Sequence, residues 1–85
     1  MKNISASLEA IANSAEKDTE KTEQAIKVAR DLIKNASVTS ELKELDTELS
    51  IWQSKLAVIL KEPVGKKGMA KHARFWAEKL RTIHV

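Results

Sequence analysis

Apolar side chains recur along this chain in steps of three and four, the rhythm of one face of an α-helix. Ile4, Leu8, Ile11, Ala15, Ala25, Ala29 and Leu32 fall on one such stripe, interrupted by polar residues only at Asp18 and Thr22. A second stripe starts at Val38 and runs through Leu42, Leu45, Leu49, Trp52, Leu56 and Ile59, with bulkier residues than the first. A third links Met69, Ala73, Trp76, Leu80 and Ile83. Residues 1–62 contain neither glycine nor proline, and Ala, Leu, Glu and Lys dominate them, which favours helix.

Local signals divide the stripes into three helices. Asn35 and Ala36 can end the first, and Ser37, Thr39 or Ser40 can supply the oxygen that caps the next. Pro63 lacks an N–H and biases Glu62 away from helical backbone, so the second helix should stop near Lys61. The spacing predicts one all-α domain over residues 1–85, with helix one about 3–34, helix two about 39–61, a turn at 62–68 and helix three about 69–84. The expected architecture is a three-helix bundle built on a long antiparallel helical hairpin of coiled-coil character, with a shorter basic C-terminal helix packed back on it.

Closing the first turn sets Leu45 opposite Ala29, Leu49 opposite Ala25, Trp52 opposite Thr22 and Leu56 opposite Asp18. Large residues then face small ones, leaving room for Trp76, and the two tryptophans read as core anchors near each other. In this register Asp18 needs a buried cation such as Lys71 or His72, because an unpaired buried carboxylate costs several kcal/mol. The stretch "KDTEKTEQ" allows a second arrangement, in which helix one breaks, Asp18 or Thr19 caps a fresh helix and residues 1–16 form a separate, looser segment. Unbroken, helix one would be about 48 Å long against about 32 Å for helix two. Its first turns would overhang, leaving Ile4, Leu8 and Ile11 as an apolar stripe for an external protein partner, a second copy of this chain included.

Charge is unevenly distributed. Residues 1–60 carry 8 basic and 10 acidic side chains, net −2, whereas residues 61–85 carry 7 and 2, net +5. The segment "EPVGKKGMAKHARFW" holds both glycines and the proline. If Gly68 opens helix three, its free N–H groups, with Lys66, Lys67 and Lys71 beside them, could receive an anion. Arg74, Lys79 and Arg81 extend the same character along the helix, enough for salt-sensitive contacts to nucleic-acid phosphates. Phe75 lies beside the apolar stripe and reads as cover for the edge of the bundle. The tetrad "GKKG" resembles the GxxG clamp loop of KH domains over about five residues, yet a KH fold needs strands flanking its helix pair and this chain offers a long helix instead. A phosphate-binding P-loop sequence is absent.

Other chemistry finds little support. There is no cysteine, and His72 and His84 stand 12 residues apart without carboxylates at ligand spacing, so no metal or cofactor is expected. No nucleophile–base pair stands out, and 85 residues leave little chain to wall off a dry pocket. No secretory signal precedes the helices, and the longest apolar run, Leu56 to Leu60, is far too short for a membrane span. A cytoplasmic protein is the expectation. Peripheral membrane contact ranks low, since helix three is needed to cover the Leu45–Ile59 stripe. The function expected is a small non-enzymatic helical interaction module, an adaptor, accessory subunit or regulator acting through protein contacts. The alternative is a nucleic-acid-binding accessory protein that uses the basic 66–81 segment.

Overall fold

The computed structural model describes residues 2–36 and 39–83. Five helices follow in order: α1 (Lys2–Ser14), α2 (Thr19–Lys34), α3 (Ser40–Ser54), α4 (Leu56–Ile59) and α5 (Pro63–Ile83). There is no strand among the described residues.

The two polar interruptions of the first stripe are where the chain folds back. Asp18 takes extended backbone (φ −147°, ψ 104°) and its Oδ1 accepts the Lys21 N–H at 3.1 Å, capping α2. The hydroxyls of Ser14 and Thr22 lie 2.8 Å apart across the break, and Thr22 Oγ1 also donates to the Asp18 carbonyl at 2.9 Å. Thr22 is thereby satisfied while fully buried. The break is therefore at Asp18, with a cap in place of a buried ion pair. The expected 48 Å helix does not form: α1 returns along α2, and the longest dimension of the molecule is 33 Å.

This reversal makes α1 the central layer, packed on α2 on one side and on α5 on the other. Ile4, Leu8, Ile11, Ala12 and Ala15 are all buried, with Leu8 and Ile11 at 0% exposure. Residues 2–16 are thus no separate segment, and the stripe expected to wait for a partner is core. Its three large side chains stabilise the fold by about 1.5–3 kcal/mol each, which explains why they turn inward. On α5, Ala70, Ala73 and Ala77 keep the buried side narrow, and Ser5 Oγ reaches the Ala77 carbonyl at 3.4 Å.

Thr39 caps α3 through the Leu42 N–H at 3.3 Å, while Ser37 and Val38 lie outside the described residues. Leu42, Leu45, Leu49, Trp52 and Leu56 are buried as their spacing requires. Between α2 and α3, Arg30 Nε donates to Asp46 Oδ1 at 3.1 Å. The second helix bends at Lys55 (φ −112°, ψ 18°) into the single turn of α4. Trp76 takes Phe75 as its ring partner, at 6.2 Å between centroids, and its indole N–H donates to Glu48 of α3 at 2.6 Å.

The largest difference from the sequence reading lies at 62–68. No seven-residue turn exists there. Pro63 is the first residue of α5, which is where proline suits a helix, since the N–H it lacks would have had no partner.

Candidate anion-binding surface

Twenty-one residues of α5 place two chemistries on opposite sides of one helix. Met69, Ala70, Ala73, Trp76, Ala77 and Leu80 are buried. Lys67, Lys71, Arg74 and Phe75 point the other way and are exposed, Phe75 by 60%. Successive steps of four and three from Lys67 put the three cations in one row.

The GKKG tetrad occupies the first two turns of α5. Lys66 N–H already donates to the Glu62 carbonyl at 3.1 Å, so the free N–H groups of the helix lie before Lys66, and Gly68 does not open it. The glycines have different reasons to be there. A Cβ on Gly65 would stand 1.9 Å from the Ile59 carbonyl oxygen, so glycine lets the α4–α5 corner close. A Cβ on Gly68 would meet nothing within 4 Å.

The seven expected anion contacts, Lys66, Lys67, Gly68, Lys71, Arg74, Lys79 and Arg81, consequently separate. Lys79 Nζ sits 4.7 Å from the centroid of Trp76 and 5.9 Å from that of Phe75, held over the rings. Arg81 forms an ion pair with Glu9 of α1. That hydrogen bond, and then the Glu9 charge, raises the Arg81 guanidinium further above its ordinary range. Lys66, half-buried, and Lys67, Lys71 and Arg74, exposed, have no ion pair among the described residues.

Sequence reasoning missed the contribution of α1. Glu9, Asn13, Lys71, Arg74, Phe75 and Arg81 share a shallow groove of about 480 Å³ between α1 and α5. Asn13 is exposed there, and Glu9 with Glu78 makes one end acidic while Lys71 and Arg74 make the other basic. Only the doubling back of α1 brings Asn13 to this place, and no local pattern announces it. A second groove of about 540 Å³ separates α2 from α3, but its central Arg30 is engaged by Asp46 and by Gln53 at 2.6 Å.

Ile4, Leu8 and Ile11 contribute nothing to any surface, being 3%, 0% and 0% exposed, so a dimer through that stripe has no face to use. His72 Nδ1 lies 3.2 Å from Glu48 Oε1, whereas His84 is outside the described residues. No group of three His, Cys, Asp or Glu among the described residues is placed to hold a metal ion. Among them, too, no helix is long and apolar enough to cross a membrane. Comparison with protein families, with curated proteins and with solved structures finds no match to this chain.

Proposed function

We propose that this chain is a small non-enzymatic helical interaction module whose contact surface is the outer side of α5 and whose partner is a polyanion, nucleic acid first. Its scaffold reads as a bundle of three limbs: the doubled-back α1–α2, the bent α3–α4, and α5. The observation that carries the reading is the row of cations Lys67, Lys71 and Arg74, exposed and without an ion pair among the described residues, beside Phe75, whose ring is 60% exposed. Acids three or four residues away are the nearest intrahelical partners for such cations. Here Glu78, four residues from Arg74, makes no ion pair with it.

A second reading, a protein partner with an acidic face, draws on Val58 and Val64, which are 70% and 82% exposed near the α4–α5 corner. The adaptor role survives in it, moved from the N-terminal stripe to the other end of the chain.

Fluorescence anisotropy with labelled DNA and RNA, at low and physiological salt, tests the first reading. Wild-type protein should bind with a log–log salt slope of about −2, as roughly three phosphate contacts on a single strand imply. The double variant Lys71→Glu/Arg74→Glu should lose at least tenfold in affinity while keeping its far-UV circular dichroism. Binding only at low salt, unchanged in the variant, would reject nucleic acid in favour of the acidic protein partner.

A further inference from the structure

Resting on the polyanion reading, the geometry points to a more specific occupant: we infer that the α1–α5 groove takes single-stranded nucleic acid, with one unpaired base stacked on Phe75, its edge facing Asn13, and the adjoining phosphates on Lys67, Lys71 and Arg74.

Phe75 is the starting point. An aromatic that serves the core is buried, as Trp76 is at 5%, whereas Phe75 is 60% exposed, with Lys79 Nζ 5.9 Å from its ring centroid, and stands among cations. Exposed rings flanked by Lys and Arg are what a single strand uses, because every base has a π-face and every nucleotide brings a phosphate. A duplex keeps those faces stacked inside itself and offers Phe75 nothing comparable.

The groove also orients the strand. Lys67 to Arg74 spans seven helical steps, about 10 Å of rise, or roughly two to three phosphates. Lys71 and Arg74 line the groove and Lys67 stands one turn before Lys71 on the same exposed face, where a backbone would run. At the other end Glu78 opposes a phosphate, Glu9 being neutralised by Arg81, so the backbone is held at the Lys71–Arg74 end and the base reaches across toward α1. There the Asn13 carboxamide offers a donor pair and an acceptor, the groups that read a base edge. An acidic peptide would meet the same cations but brings no base to stack on Phe75.

The test uses the full chain and a short labelled oligonucleotide as a single strand and as a blunt duplex, in anisotropy at physiological salt. Single strand should bind at least tenfold tighter than duplex. Phe75→Ala should weaken it by about 5- to 100-fold, Phe75→Trp should restore it, and Asn13→Ala should cost a few-fold with a loss of base preference. Circular dichroism of each variant verifies the fold. Equal affinity for duplex, or a Phe75→Ala protein that binds as wild type while Lys71→Glu/Arg74→Glu does not, overturns the stacking inference and leaves the polyanion reading standing. Failure of both strands to bind overturns the two together, and equal displacement by polyglutamate overturns the nucleic-acid occupant in favour of an acidic protein partner.

Discussion

α1 and α5 lie against each other and use their surfaces in opposite ways. Along α1 an apolar stripe without an evident partner in the sequence has found two, α2 and α5, and Leu8 and Ile11 are completely enclosed. Along α5 a stripe of similar quality is buried as well, but the opposite face keeps Lys67, Lys71 and Arg74 without an ion pair among the described residues. Large apolar side chains stabilise a fold wherever it can enclose them, so an apparent orphan stripe is weak grounds for a partner in a chain able to bend double. Exposed cations are well solvated and gain little from surface pairing, so the fold leaves such a row available to a partner at almost no cost.

The sharpest way to break this comparison is to charge α1. Leu8→Asp places a carboxylate where exposure is 0%. The cost, several kcal/mol, consumes much of the total stability of an 85-residue domain, about 4–13 kcal/mol. Thermal melts followed at 222 nm should lose their cooperative transition. A variant that keeps wild-type helicity and melting would put the stripe outside, as an overhanging first helix has it.

Smaller effects should separate the two glycines of α5. Gly65→Ala forces its new methyl group into the Ile59 carbonyl, and should destabilise by about 1–3 kcal/mol in urea unfolding. Gly68→Ala enters open space within a helix and should stabilise by about 0.5–1 kcal/mol. Effects of the same sign and size would return the tetrad to a loop. Smaller still, Asp18→Ala removes the cap that starts α2 and should cost about 1 kcal/mol, with most of it recovered in Asp18→Asn.

What the sequence made legible follows from how local each cause is. The run Leu42, Leu45, Leu49, Trp52 and Leu56 is a property of one helix, and its burial follows from period alone. The cap at Asp18 was readable as one of two arrangements because N-capping is local too. Choosing between them was not, since the direction α1 takes after the break depends on the volume left between α2 and α5. Pro63 misled because proline both ends and begins helices. Three residues after Leu60 it does the second, and the chain needs Gly65, whose role depends on the nearby Ile59 backbone, to make that corner. Ile26, fully buried, was overlooked because α2 is covered from two directions and so buries a wider face than one stripe. At the candidate site the cations were visible as letters. Which of them the fold uses up, Lys79 over Trp76 and Arg81 on Glu9, required tertiary structure, as did the arrival of Asn13.

The claim that α1 is interior and the outer side of α5 is the working surface can be tested at residue resolution. Backbone amide chemical shifts should be mapped while a short single-stranded oligonucleotide is titrated into the isotope-labelled chain. The account predicts shifts concentrated from Lys67 to Phe75 and at Asn13, with Lys27, Lys34 and Lys43 of the α2–α3 groove unmoved. Shifts centred on that second groove, or spread over every lysine alike, would contradict it.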